Sequence, residues 1–309
     1  MITSVMYHYV RPVEDSQLRY LAVDDFKKQL DWFEASVGSF LTEAEWDEAK
    51  AGKPQSGVLL TFDDGLKDHF DHVLPILVER GIFGIFFVNT APLSSNCVLP
   101  VHLAHKLLSL GNSRKILDFI QLKLPPSIWV ELNQGVAGSR YKKQVELDAN
   151  IAVKKVINYL FSDFDLSEIL DSTAREFLKC SITEMSSTWY LSEQEVREID
   201  ASGMRIGSHT STHRLLSKLD RVEIFNELHE SKVTLERLLG KTVDEFCYPY
   251  GGSNSYNQVV KDTLSSLHYS VAHDVSARRI SKEDFRNKYE LPRFNCNEFP
   301  FGKAHSLKT

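Results

Sequence analysis

Short apolar runs closed by glycine, proline or acidic residues recur along the chain, the pattern of strands buried on both faces of a parallel sheet. The clearest is 58–62, which stops abruptly at Asp63-Asp64-Gly65. Similar runs at 4–10, 84–88, 204–207, 245–250, 269–275 and 289–294 bring the expected strands to seven. Between them, apolar residues three and four apart predict helices. One runs over 24–35 with Asp24 as its cap, and one opens on a Thr42/Glu45 capping box. Others follow Gly65 to about Arg80, cover 189–202, run over 221–239 to stop at Gly240, and lie near 256–267. Residues 91–188 differ, with helical spacing at 101–110, 114–123, 143–161 and 166–179, breaks at Pro125-Pro126 and 133–138, and no convincing strand. The expectation is a single α/β domain over 1–309 with a helical insertion at 91–188. That insertion either caps the strands' carboxyl ends or serves as a structural or oligomerisation subdomain.

Three strand ends carry polar groups suited to chemistry. Asp63 and Asp64 are adjacent, so their side chains diverge and suit different tasks; the bland alternative is a turn in which Asp64 caps the helix near Leu66. Gly207-Ser208-His209-Thr210-Ser211-Thr212-His213 puts two imidazoles four residues apart, close enough on a helical turn to share one metal ion, although most histidine pairs at this spacing bind none. Phe246 to Gly252 is a strand ending in a glycine-rich bend whose backbone N–H groups suit a developing oxyanion.

Together, Thr61-Phe62-Asp63-Asp64-Gly65, His209-Thr210-x-x-His213 and Tyr248-Pro249-Tyr250-Gly251 resemble the polysaccharide deacetylases with a NodB-type domain, carbohydrate esterase family 4. Tyr7-His8 on a first strand narrows the resemblance to the branch acting on exported poly-N-acetylglucosamine, which looks circularly permuted relative to other members. The resemblance implies a distorted, incomplete seven-stranded (β/α) barrel with its site at the strands' carboxyl ends. It implies Asp64, His209 and His213 as ligands of one divalent metal, Asp63 as general base, the backbone N–H of Tyr250 in the oxyanion site and His8 as general acid. Zn2+ suits that ligand set, with Co2+, Ni2+ or Mn2+ as alternatives.

The chain departs from the family pattern where an arginine two residues before the proline is expected; Cys247 stands there. Arg293, in Leu291-Pro292-Arg293, is the candidate substitute partner for Asp63, against the plain reading of a surface arginine. The usual tryptophan-bearing motif and a carboxyl-terminal Leu-x-His are not evident, which favours His8 while leaving His273 and His305 as alternative acids. His69 and His72 are read as solvated rather than as extra ligands.

Composition narrows the classes further. The 309 residues are 42% hydrophobic and 25% charged, an ordinary globular balance. A net charge of −6 offers no footprint for nucleic acid or an anionic membrane. No run is long enough for an integral membrane segment, and the first ten residues lack a basic, apolar leader, so a cytoplasmic protein is expected. Cys97, Cys180, Cys247 and Cys296 lack metal-type spacing and read as unpaired thiols. The favoured function is removal of an N-acetyl group from an amino sugar of a surface polysaccharide or lipopolysaccharide precursor. An amidase on a non-sugar substrate and a non-catalytic carbohydrate-binding relative are the competing readings, and the sequence sets no oligomeric state.

Overall fold

A computed structural model describes residues 1–13, 18–126, 148–157 and 167–304. The chain divides into two compact units, the first comprising Met1–Glu14, Arg19–Ser95 and Trp189–His305, the second built chiefly of Asn96–Thr188.

The first unit is organised on a seven-stranded parallel sheet. Its strands are β1 (Ile2–Tyr7), β4 (Gly57–Phe62), β5 (Gly84–Val88), β6 (Arg205–Ser208), β7 (Glu245–Cys247), β8 (Val271–His273) and β9 (Phe294–Asn295), in the order β8-β7-β6-β5-β4-β1-β9. A small parallel pair, β2 (Val10–Arg11) with β3 (Leu21–Ala22), stands apart and has no counterpart in the sequence reading. The sheet is a distorted, incomplete (β/α) barrel, as expected. Side-chain alternation divides each strand between two cores. Leu59, Ile85, Phe87, Cys247 and Val271 share one buried cluster with Trp46 and Leu291. Their neighbours Val58, Leu60, Phe62, Phe86, Val88 and Ile206 pack the other way, against Phe26, Leu30, Leu77, Val196 and Leu235 from the surrounding helices. Both faces are covered, which is why the strands read as continuous apolar runs rather than alternating ones.

Several boundaries differ from the sequence expectation. Strand β1 ends at Tyr7 rather than Val10, because its ladder with β4 ends there: Tyr7 pairs with Phe62, and its carbonyl accepts the Asp63 N–H at 2.9 Å. The final strand is only Phe294–Asn295. Helix Val23–Ser36 starts after Ala22 with no side-chain cap, and Asp24 sits inside its first turn, where its charge suits the helix dipole. The helix expected over 189–202 starts only at Glu193 and runs to Ala201, because Ser192 and Glu195 form a capping box that sets its start; a separate helix, Ile182–Trp189, precedes it. After Gly65 the chain makes a π-helical turn, His69–Val73, before helix Leu74–Arg80. The Thr42/Glu45 capping box and the left-handed Gly240 closing helix Arg221–Leu239 are as read.

At the amino-terminal end of the barrel Glu245, fully buried, accepts hydrogen bonds from Trp46 Nε1, Lys50 Nζ and Arg205 Nη1, each at 2.8 Å. A buried carboxylate that collects three donors ties helix Glu43–Lys50 to β6 and β7. The second unit, by itself, is helical among its described residues: Pro100–Leu108, Ser113–Lys123, Asp148–Lys155, Ser167–Leu178 and Ile182–Trp189 up to its boundary. All four cysteines are free thiols.

Gly207 in β6 is required by close approach: a Cβ there would lie 2.5 Å from Cδ1 and Cε1 of Phe87, whose ring occupies the barrel interior. Gly207→Ala is expected to destabilise the protein by about 1–3 kcal/mol through overpacking. A double-mutant cycle with Phe87→Leu, followed by denaturant unfolding, should show a smaller cost for the alanine once the ring is gone; additive costs would sink this account.

Candidate active site

Asp63 and Asp64 follow β4 directly and part company at once. Asp63 continues the inward-facing series of Leu59 and Thr61 and is 2% exposed. Arg293, arriving just before β9 and with no exposed surface, binds it bidentately, Nη1 to Oδ1 at 2.7 Å and Nη2 to Oδ2 at 2.8 Å. The remaining guanidinium protons are also used: Nη1 donates to Thr61 Oγ1 at 2.9 Å, Nη2 to Cys247 Sγ at 2.8 Å and Nε to the Asp274 carbonyl at 3.2 Å. The cation also lies 5.7 Å from the Phe87 ring centroid. Burial alone would raise the Asp63 pKa, but the charge and hydrogen bonds of Arg293 outweigh it and hold the carboxyl well below its ordinary value. Cys247 adds an S–H contact to Asp63 Oδ2 at 3.4 Å, its own ionisation pushed up by burial.

Asp64 turns the other way because its backbone is left-handed, φ 78°. Its Oδ1 lies 3.3 Å from His209 Nε2 and 3.3 Å from His213 Nε2, and its Oδ2 lies 3.9 Å from His8 Nε2. The three ligand atoms of Asp64, His209 and His213 fall within 4.8 Å of one another, and all three residues are buried. His209 donates from Nδ1 to the Cys247 carbonyl at 2.8 Å, which turns the Nε2 lone pair toward Asp64 when the ring is neutral. Burial would lower the His209 pKa; the neighbouring Cys247 and the Asp64 and Asp63 carboxylates reverse that and raise it. A lone pair facing a carboxylate oxygen at 3.3 Å calls for a cation between them. Two ligand atoms about 2.0–2.1 Å from a tetrahedral zinc ion stand roughly 3.3 Å apart, so the donor set and its spacing fit such an ion.

The loop that carries the histidines is strained and strongly braced. Thr210 and His213 have φ 67° and 60°, an uncommon conformation for residues with a Cβ. Asn89, buried at the end of β5, donates its amide to the carbonyls of His209 and Thr210. Glu227, buried on helix Arg221–Leu239, accepts from the Thr212 N–H at 2.9 Å and from the Thr212 hydroxyl. The His213 N–H reaches Thr210 Oγ1 at 2.9 Å. Neither Asn89 nor Glu227 was anticipated. Asn89 gave one available signal, a polar residue at the carboxyl end of an apolar strand, whereas Glu227 looks in sequence like any helix acid. Tyr250, also left-handed at φ 66°, sets its ring 4.8 Å from that of His213. The bend beyond it needs Gly251, where a Cβ would lie 2.1 Å from Val275 Cγ2.

Among the described residues, the other candidate histidines are not in this cluster. His273, an alternative acid by sequence, is fully buried, with Nε2 3.5 Å from Glu245 Oε2 and its ring between those of Trp46 and Phe87. It turns toward the amino-terminal end of the barrel because it follows the inward series of Val271. His305 lies outside the described residues. His69 is not solvated, as read, but fully buried, on the same face as Val73 and Ile76; His72 is half-buried.

An acid held ionised in a barrel mouth stands beside a carboxylate and two imidazoles, a donor set of the kind that metal-assisted hydrolysis uses. The model of the polysaccharide deacetylase family matches residues 166–272 of the chain. A chitin deacetylase from Pestalotiopsis sp is 31% identical over 108 residues, which cover 34% of this chain and 35% of the relative; the chain thus spans about a third of that protein's length. The Streptococcus pyogenes deacetylase PplD, solved in complex with acetate, superposes with a TM-score of 0.58 at 17% identity, covering 95% of this chain and 91% of that one. IcaB from Ammonifex degensii gives 0.57 at 16% identity with the same coverages, 95% and 91%. A de-N-acetylase from Aggregatibacter actinomycetemcomitans gives 0.56 at 14%, covering 95% of this chain and 94% of that one. At these identities the likeness establishes the fold.

The Asp63–Arg293 pair makes a stability prediction with a definite sign. A carboxyl whose folded pKa is depressed contributes stability above its unfolded pKa, about 4, and loses it as pH falls below that value. Arg293→Met is expected to cost about 3–5 kcal/mol at pH 7 by leaving Asp63 buried and unpaired. In denaturant titrations the gap between variant and wild type should narrow as pH is lowered through 4. A gap independent of pH would exclude the ion pair as its source.

Proposed function

We propose that the protein is a metal-dependent N-deacetylase that hydrolyses the acetamido group of an amino sugar in a surface polysaccharide or lipopolysaccharide precursor, releasing acetate and a free amine. The observation carrying this reading is the convergence of Asp64, His209 and His213 on one point, with the ionised Asp63 beside it. The 31% identity to a chitin deacetylase supports an amino-sugar substrate. Residues 91–188 are read as an insertion within the one deacetylase domain.

In this reading Asp64, His209 and His213 hold one divalent ion; Zn2+ suits them, and Co2+, Ni2+ or Mn2+ are accommodated by the same donors. When bound, such an ion acidifies a water molecule and polarises the acyl carbonyl. Asp63 receives the water's proton on its carboxylate, and Arg293 keeps that carboxylate ionised and oriented. The backbone N–H of Tyr250 stabilises the oxyanion that develops as the carbonyl carbon becomes tetrahedral. His8 delivers a proton to the nitrogen as the C–N bond breaks, because an amide anion is too basic to leave alone. The half-exposed His8 side chain, 3.9 Å from Asp64, suits a group that must meet both solvent and substrate.

The test is metal content as purified, together with acetate release from N-acetylated nucleotide-sugar, lipid-linked and oligosaccharide substrates with and without chelator. Chelator-sensitive acetate release from one of these is expected. Asp63→Asn should retain the metal and lose turnover by a factor of at least about 100. Bound metal without acetate release from any sugar would shift the reading to a non-sugar amide, and absence of both would overturn it in favour of a binding module.

A further inference from the structure

The sheet does not hold His8 in place. The last ladder contact along β1 is the Asp63 N–H to the Tyr7 carbonyl, and His8 lies one residue beyond it. Its side chain retains 38% of its exposure, so packing alone fixes it weakly. What grips its backbone is His69. The His69 ring is fully buried, with Nε2 2.8 Å from the His8 carbonyl oxygen. A carbonyl only accepts, so Nε2 carries the proton and the ring donates it. The edges of Phe62 and Phe86, at centroid distances of 5.6 and 6.0 Å, wall the ring in. Burial lowers the His69 pKa, which keeps the ring neutral with its one N–H committed to His8. The preceding residue, Asp68, accepts two bonds from Arg11 at 2.9 and 2.8 Å. Consecutive side chains entering the π-helical turn therefore clamp segment 8–11, and a π-turn in an otherwise α-helical stretch is a common device for such placement.

We infer that His69 is a positioning residue for proton delivery, its Nε2–H holding the His8 backbone so that the His8 imidazole stays beside Asp64 and the scissile nitrogen. The inference rests on the reading of His8 as the general acid. It predicts a selective defect, since breaking an amide requires a proton on the leaving nitrogen whereas 4-nitrophenyl acetate leaves as a stabilised phenolate without one.

The experiment compares His69→Phe, His69→Gln and His8→Ala with the wild-type holoenzyme, each checked for bound metal and folding by circular dichroism. His69→Phe keeps the ring volume and removes the donor; kcat on the N-acetylated saccharide should fall about tenfold or more with KM little changed, while 4-nitrophenyl acetate turnover and metal content hold. His69→Gln, which retains an N–H donor, should stay within about threefold of wild type on the amide. A His69→Phe variant that loses amide and ester turnover together assigns the ring a structural role and overturns the inference. So does a His69→Gln variant as impaired as His69→Phe. If His8→Ala itself spares amide turnover, the general-acid reading fails and this inference fails with it; if His8→Ala is selectively defective and His69→Phe is not, only the positioning role falls.

Discussion

The arrangement depends on placing a full negative charge at the mouth of an apolar barrel and keeping it ionised there. Asp63 is almost fully buried at the end of β4 with Cys247 against it, surroundings that by themselves would neutralise a carboxyl. Arg293 reverses this, and it does so with almost no freedom, because its donors are spread over Asp63, Thr61, Cys247 and the Asp274 carbonyl. A guanidinium satisfied by four partners cannot swing away, so Asp63 stays ionised and oriented before any substrate arrives. Lysine could not replace it, since only the planar fork reaches both carboxylate oxygens while donating elsewhere.

The strain of the site sits opposite that rigid pair. Asp64, Thr210, His213 and Tyr250 are all left-handed residues with side chains, a conformation costing of order 1 kcal/mol or more each. Each turns a functional group off the line of its strand: Asp64 away from Asp63, the two imidazoles toward one carboxylate oxygen, Tyr250 toward His213. The braces that offset this strain come from the scaffold, Asn89 from the end of β5 and Glu227 from helix Arg221–Leu239. In the proposed reaction the two adjacent aspartates do different work because one follows the strand's inward alternation and the other leaves it.

The central strands were the most legible because both faces of the sheet are covered, so β4 and β5 are almost continuously apolar and end where the polar site begins. Strand ends were less legible, since β1 stops where its ladder with β4 runs out, and periodicity carries no record of register. The acid pair and the histidine pair were readable because each is local, a few residues after one strand. Asn89 and His69 were not, since each acts on a backbone group far away in the chain: 120 residues separate Asn89 from the carbonyl of His209, and 61 separate His69 from His8; nor was Glu227, whose partner Thr212 lies on another element. A helix acid braced against a loop has the same sequence appearance as one facing water. His69 was misread although its spacing pointed inward, since it shares a helix face with the buried Val73 and Ile76; an imidazole in such a place has the same sequence appearance as a solvated one until its backbone partner is seen.

Cys247 stands where the resemblance calls for an arginine, and Arg293 supplies the charge beside Asp63 instead. A long cation at this position would have to occupy the space where Arg293 Nη2 now meets the sulfur at 2.8 Å, since Cys247 is fully buried and already touches Asp63. The small thiol leaves that space open, and the guanidinium enters from Arg293, on the far side of the barrel in sheet order, where β7 and β9 lie near opposite edges. What a buried Asp63 requires to stay ionised is a fixed positive charge against both its oxygens, and the curled sheet lets either edge supply it. A pattern tied to chain order records which strand carries the arginine; the physical requirement records only where the charge must be. Cys247 and Arg293, unremarkable when read separately, thus meet in one contact around Asp63.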